Sequence, residues 1–259
     1  MIYSIFHKGS GLGNQLARYI FARCFALDNG YDFSMICPEN FKGNFFLDFH
    51  TGKKNNIKTH IESPSGKVII EDNLYHFEEK RTNNNGVDIR GYDDEIRNIK
   101  DNTIVDGEFQ DEKYFIHRID EAREWLKVEP LKMSDTLCVI NFRGGEYVGT
   151  RLFLPKKYWD LAIAEIRKIN QDMKFEVHTD DMATARQFFP NYPIISDIAL
   201  NWRSIRYAKY LILSNSSFAI LPALLNENAE KIYAPNFWGG YNIGIWSMEQ
   251  NKYTKFSYI

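Results

Sequence analysis

Cysteine is scarce: Cys24, Cys37 and Cys138 are the three present in 259 residues. None has CxxC or Cys/His metal-ligand spacing, so neither a disulfide framework nor a structural zinc site is expected. Cys24 and Cys138 lie in apolar stretches and read as small core hydrophobes in a reducing compartment. An excess of one charge is also missing, since 32 Lys and Arg face 34 Asp and Glu for a formal net charge of -2. Without a basic patch no nucleic-acid partner is expected, and without a charge block no solvated tail. No apolar run reaches bilayer length, and no stretch has the apolar core and small-residue cleavage site of a secretory signal. The expectation is a cytoplasmic protein, with room for peripheral association at the inner membrane face. Repeats and low-complexity segments are absent too. Aromatics are plentiful at 15%, which a core built on Phe and Tyr accounts for.

The remaining composition, 44% hydrophobic and 25% charged, fits an ordinary globular chain of one large α/β domain or two small ones. Ile2 to Phe6 reads as a buried strand. It opens onto His7-Lys8-Gly9-Ser10-Gly11-Leu12-Gly13-Asn14-Gln15 and then a helix whose Leu16, Ile20 and Cys24 share a face with Tyr19 and Leu27. Asp28-Asn29-Gly30 stops it. Tyr31 to Cys37 reads as a second strand. From Pro38 to about Asn85 the chain is irregular, with a short strand at Val68 to Ile70 and a loop over Thr82 to Gly86. Thr103 to Val105 is another short strand, followed by a helix with Phe115, Ile119 and Trp125 inward that Pro130 closes. The boundary placed there divides residues 1–130 from 131–259.

The second half alternates cleanly. Strands at 137–142, 174–178, 193–195, 210–213 and 231–233 are separated by helices at 156–169, 182–189, 202–208 and 218–225. Such βαβα alternation implies a parallel sheet covered on both faces, with ligands taken at the carboxyl ends of its strands. Three strand ends carry the polar groups. Arg143 follows strand 137–142 and offers a planar fork suited to phosphate oxygens, with Gly144 and Gly145 beside it leaving backbone open to close approach. Thr179-Asp180-Asp181 follows strand 174–178, with carboxylates suited to a ribose diol or a base N–H. Ser214-Asn215-Ser216-Ser217-Phe218 follows strand 210–213 and opens a helix, where hydroxyls and N–H groups suit phosphate. The bland alternatives are an Arg143 paired with a surface carboxylate, and Asp180 and Ser214 acting as helix caps. A dinucleotide fingerprint at Gly9-Ser10-Gly11-Leu12-Gly13-Asn14 is weakened by Asn14 in the place of the third glycine.

Taken in order, Gly11-Leu12-Gly13-Asn14-Gln15-Leu16, Asp106 to Phe115, Asn141 to Val148, His178 to Asp181 and Ser214 to Phe218 resemble the blocks of the bacterial α-1,2-fucosyltransferases, glycosyltransferase family 11. That family is related to the α-1,6- and protein O-fucosyltransferases. The resemblance implies a GT-B fold: two Rossmann-like halves around a cleft, here with a reduced N-terminal, acceptor-side half. It further implies inverting, metal-independent transfer of fucose from GDP-fucose, with no cofactor, to a glycan hydroxyl, forming an α-1,2 linkage. By the same resemblance Arg143 holds the donor diphosphate and Asp180, with Asp181, contacts the nucleoside. Ser216, Ser217 and Phe218 close on the diphosphate and base, and Asn14, in the motif that includes Gly11 and Gly13, lies near the reacting sugar. The family's usual His-x-Arg-Arg-Gly-Asp stands here as Asn141-Phe142-Arg143-Gly144-Gly145-Glu146. That change keeps open another GDP-sugar donor, or a protein that binds nucleotide or glycan without catalysis.

Nucleotide-sugar transfer builds negative charge on the β-phosphate, and no spaced DxD motif is present to place a metal there. A fixed cation must then answer that charge, and Arg143 with the helix start after Ser217 is the candidate. For the base that takes the acceptor's proton, Glu146, Asp106, Glu108 and His7 are candidates that spacing does not rank.

Overall fold

The computed structural model describes residues 1–57, 59–62, 67–70, 73–84, 87–246 and 253–259. In chain order the elements begin β1 Ile2–Ile5, α1 Leu12–Asp28, β2 Phe33–Ile36, β3 Thr59–Glu62, β4 Lys67–Ile70, β5 Tyr75–Glu78, β6 Arg81–Asn84, β7 Val87–Arg90 and β8 Thr103–Asp106. They continue α2 Ile119–Trp125, β9 Leu137–Phe142, α3 Lys156–Ile169, β10 Lys174–Thr179, α4 Met182–Phe188, β11 Ile194–Ile195, α5 Ile198–Tyr207, β12 Tyr210–Leu213, α6 Ser217–Leu225, β13 Lys231–Ala234 and β14 Ser257–Tyr258. This is an α/β protein with two parallel sheets, consistent with two Rossmann-like halves. The chain divides into two compact units, one of Met1–Lys80 and Gly91–Lys127, the other of Arg81–Arg90 and Val128–Ile259. Among the described residues no helix is long and apolar enough to cross a membrane.

The first unit is built on a four-stranded sheet of order β2-β1-β8-β5, all parallel. Helix α1 packs Leu16, Tyr19, Ile20 and Cys24, all fully buried, onto this sheet. Leu27, expected on the same face, is instead 48% exposed. A 17-residue helix is about 25 Å long, whereas four-residue strands span about 13 Å, so its last turn outruns the sheet. Helix α2 is shorter than expected: two 3-10 turns at Glu112–Tyr114 and Ile116–Arg118 precede it. Phe115, Ala122 and Leu126 are its buried contacts, while Ile119 and Trp125 are half-buried.

The second unit carries a six-stranded sheet, β11-β10-β9-β12-β13-β14, again all parallel. Its core gathers Ile140, Phe142, Tyr158, Trp159, Ile163, Ile166, Phe175 and Val177. Phe142 is surrounded by Phe153, Trp159, Phe188 and Phe189 with ring centroids 5.3–6.0 Å apart. Tyr158 Oη donates to the Leu213 carbonyl at 2.6 Å, tying α3 to the end of β12.

Several strands depart from the sequence reading, β3 and β14 among them. Residues 82–84, expected in a loop, belong to β6, which pairs antiparallel with β7; residues 85–86 lie outside the described residues. Thr82, Val87 and Ile89 supply the β-branched character, and an Asn-Gly pair between two such runs is a hairpin signal rather than a loop signal. The edge strand β5 was not anticipated, because Tyr75-His76-Phe77-Glu78, exposed except for the half-buried Phe77, presents no apolar run.

The aromatic packing generates a stability prediction. Trp159→Ala should cost about 3–5 kcal/mol in urea unfolding, the range for deleting a buried large aromatic, whereas a loss below about 1 kcal/mol would contradict the central place given to this cluster.

Candidate functional site

In the six-stranded sheet the chain runs β9, β10, β11 toward one edge, then returns to the other side of β9 and runs β12, β13, β14 toward the opposite edge. The strand order therefore reverses between β9 and β12. At such a switch point the connections leave in opposite directions and open a crevice beyond the carboxyl ends. The residues of that edge are Arg143 after β9, Asp180 and Asp181 after β10, and Ser214 to Phe218 after β12.

Arg143 is held by carboxylates on two sides. Its Nη1 lies 2.8 Å from Asp180 Oδ2, and its Nη2 donates to Glu146 Oε1 at 2.8 Å. The guanidinium also sits 5.3 Å from the centre of the Tyr147 ring. Its Nε is buried with no hydrogen-bond partner among the described residues. The carboxylate pairing that the bland reading anticipated is thus present. Glu146 is the loose partner, with its side chain 74% exposed against 29% for Asp180.

The two glycines let the β10 carboxylates close onto the backbone. Gly144 N–H donates to Asp180 Oδ1 at 3.0 Å and Gly145 N–H to Asp181 Oδ2 at 3.2 Å. A Cβ on Gly144 would stand 2.7 Å from Asp181 Cβ, and Gly145 has φ +43° with Asp180 Oδ2 2.6 Å from its would-be Cβ. Asp181, not Asp180, caps α4. Its Oδ1 accepts from Thr184 N–H at 3.1 Å and its Oδ2 from Thr184 Oγ1 at 2.5 Å. The Thr184 hydroxyl, then the backbone N–H groups, hold its carboxyl below the ordinary 3.8.

Behind this rim the strand ends are stitched together. Asn141 is buried and accepts from Ser214 Oγ at 2.8 Å, while Ser214 N–H donates to the Asn141 carbonyl at 2.9 Å. His178, the register partner of Asn141 on β10, is fully buried. Its Nδ1 lies 2.8 Å from Asn201 Oδ1 and its Nε2 2.8 Å from Glu176 Oε1. The start of α6 is capped by Ser216, whose Oγ accepts from Phe218 N–H at 3.3 Å, so Ser216 rather than Ser214 is the cap. Ser217 and Phe218 are half-buried. Asn215, 4% exposed, leaves both its amide nitrogen and its oxygen without a partner among the described residues. A buried primary amide with neither end satisfied costs free energy that a ligand could recover.

The structure therefore brings Asn141, Arg143, Glu146, Asp180, Asp181, Ser216, Ser217 and Phe218 to one sheet edge, in the second unit. Gly11, Gly13 and Asn14 belong to the first unit, at the start of α1. Gly11 is the residue before the helix, with no side chain capping it, and Asn14 Oδ1 accepts from Gln110 Nε2 at 3.0 Å. Three participants escaped sequence reasoning: Glu176 and Asn201, which clamp His178, and Arg18, buried at 7% exposure within α1. Only Arg18 left a signal, a guanidinium inside an otherwise apolar helix stretch. Among the described residues no group of His, Cys, Asp and Glu could hold a metal ion. No protein-family model matches the chain, and no curated protein matches it.

The depressed Asp181 carboxyl fixes the sign of a pH dependence. Its charge stabilises the folded state above its unfolded value, and that contribution is lost as pH falls through the lower folded value. Asp181→Asn keeps a competent cap, so its stability deficit in urea unfolding should be constant near neutrality and shrink below about pH 4. A deficit that persists unchanged in strong acid would mean the charge is irrelevant there.

Proposed function

We propose that this protein is an inverting, metal-independent glycosyltransferase of GT-B type that moves fucose from GDP-fucose to a glycan hydroxyl, forming an α-1,2 linkage. The observation that carries the reading is the coincidence of three features at one reversal of strand order: a guanidinium, a pair of carboxylates, and a helix start with an unsatisfied buried amide. The ordered resemblance of the five sequence blocks to the bacterial α-1,2-fucosyltransferases supports the same reading from a separate direction.

The division of labour follows from the contacts. Asp180 keeps Nη1 and steadies the guanidinium plane. Nη2 is paired with the exposed Glu146, whose carboxylate stands where a phosphate oxygen would go. A diphosphate carrying more charge in a fork geometry displaces this one exposed side chain and gains two charge-assisted hydrogen bonds. Asn215 and the α6 N–H groups then answer the remaining phosphate oxygens. As the C1–O bond breaks, the charge arriving on the β-phosphate meets a cation already in place, which favours the transition state over the bound donor. Asp181 is occupied as a helix cap, leaving Asp180 as the carboxylate near the nucleoside. Asn141 and Gly144, in the places of an imidazole and a second guanidinium, favour a less tightly held diphosphate and leave room for a different GDP-sugar.

Calorimetric titration of GDP, GDP-fucose and GDP-mannose, with a donor-hydrolysis assay, tests the assignment. Arg143→Ala should weaken GDP binding or slow turnover by about one to two orders of magnitude without loss of fold. Glu146→Ala should tighten GDP binding by removing the competing carboxylate. Full activity in Arg143→Ala would overturn the role given to the guanidinium. Nucleotide binding with no turnover on any acceptor would favour a binding protein, and tight NADH binding a dehydrogenase.

A further inference from the structure

The two edges of the first unit's sheet treat charge differently. At the carboxyl edge, where β1 lies between β2 and β8, His7 Nε2 stands 3.5 Å from Asp106 Oδ1. Arg18 there donates from Nε to the Gly107 carbonyl at 2.6 Å, and its Nη2 lies 3.5 Å from Glu108. The amino edge, formed by the last turns of α1 and the start of β2, holds Arg23. This half-buried guanidinium meets no carboxylate among the described residues. Asp28 is taken by His117 and Arg118, and Asp32 by Lys53.

Aromatic rings hold Arg23 instead. Its guanidinium carbon lies 4.1 Å from the centre of the Trp125 ring, 5.5 Å from that of Phe33 and 5.9 Å from that of Tyr19. Nη1 donates to Tyr19 Oη at 2.5 Å. Stacking occupies the faces of a guanidinium and leaves its in-plane donors available. Nε and Nη2 have no partner among the described residues.

Arg23 lines a cavity of about 380 Å³, a size suited to a small molecule. The apolar wall is Ala26, Leu27 and Phe33, with Leu27 the residue that the sheet leaves 48% exposed. The polar wall comes from the segment that carries His50 and Lys53. Gly52 has φ +82°, and a Cβ on it would stand 2.2 Å from the Phe33 carbonyl oxygen, so glycine alone lets this segment press on β2. Gly52 N–H donates to His50 Nδ1 at 3.3 Å, which leaves the ring proton on Nε2, a donor with no partner among the described residues. Lost hydration, then the Arg23 charge, holds this imidazole below its ordinary range, so it offers an N–H without adding charge near neutrality. Lys53 Nζ is matched by Asp32 Oδ2 at 2.6 Å. The cavity is left with one positive charge in excess.

We propose that this cavity binds a small organic monocarboxylate, its oxygens on the available donors of Arg23 and His50 and its apolar body against Ala26, Leu27 and Phe33. A guanidinium already fixed by its aromatic neighbours lowers the ordering cost of gripping a planar carboxylate. One excess charge matches a monoanion, whereas a phosphate dianion would bring a second charge with no counterpart against an apolar wall. The site lies wholly within the first unit and stands apart from the glycosyltransferase reading, whose diphosphate belongs to the second.

The test titrates the full chain with benzoate and follows its amide and arginine N–H signals by NMR. Acetate supplies the charge without the body, benzyl alcohol the body without the charge, and phenyl phosphate the dianion. Benzoate should bind with a Kd of about 1 mM or below and shift the Arg23 Nε–H signal together with the amides of Phe33 and Gly52. Acetate and benzyl alcohol should each bind about tenfold more weakly or worse. Arg23→Gln should weaken benzoate by about tenfold or more, and His50→Ala, at an exposed position clear of the Trp125 stack, by about three- to tenfold. Benzoate that leaves the wild-type Arg23 Nε–H signal unmoved overturns the proposal without any variant. Equal affinity in a folded Arg23→Gln, or benzyl alcohol binding as tightly as benzoate, overturns it too. Phenyl phosphate binding more tightly than benzoate overturns the assignment to a monocarboxylate.

Discussion

The reversal of strand order inside each parallel sheet is the constraint on which the rest of the structure depends. A parallel ladder sends every chain crossing over a face, so the only edges free for irregular backbone are the strand ends. Where consecutive crossings depart in opposite directions, the carboxyl edge is uncovered. In the six-stranded sheet that place falls between β9 and β12, and Asn141 and Ser214 bridge it by side chain and backbone. In the four-stranded sheet it falls between β1 and β8, where Ser4 Oγ donates to the Val105 carbonyl at 3.2 Å. Charged side chains meet at both edges, His7 with Asp106 at one and Arg143 with Asp180 at the other.

Charge at the β9 edge is unevenly shared. Arg143 faces Asp180 and Glu146 with Asp181 close behind, so negative charge exceeds positive around one guanidinium. A surface ion pair of this kind contributes about 1 kcal/mol or less to stability, which makes it a poor explanation for two glycines, a left-handed Gly145 and an unsatisfied Asn215 in the same place. Those features carry a folding cost that a bound anion would offset. Under the proposed function the exposed Glu146 is a placeholder for a phosphate on Arg143.

Much of this was legible in the sequence, for identifiable reasons. β9 and α3 declare themselves, the first by an unbroken apolar run and the second by a stripe through Trp159, Ile163 and Ile166, because periodicity is a local property. The three polar strand ends could be listed for the same reason. Their pairings could not. That Asp180 reaches Arg143 while Asp181 turns to Thr184 depends on one residue of register beyond β10. The His7–Asp106 and Arg18–Gly107 contacts join segments about a hundred positions apart, which no spacing encodes. Strand β5 was hidden because edge strands with exposed side chains lose the apolar signature, and the β6–β7 hairpin because Asn-rich turns also resemble open loops. Leu27 shows the reverse failure: its helical angle is right, but the sheet ends before the helix does.

A crystal structure with GDP bound would test the central claim most directly. The account predicts the β-phosphate on Nη2 of Arg143, Glu146 swung away, and the Asn215 amide engaged. A guanosine nucleotide seated away from the β9–β12 edge, with Arg143 still paired to Glu146, would contradict it.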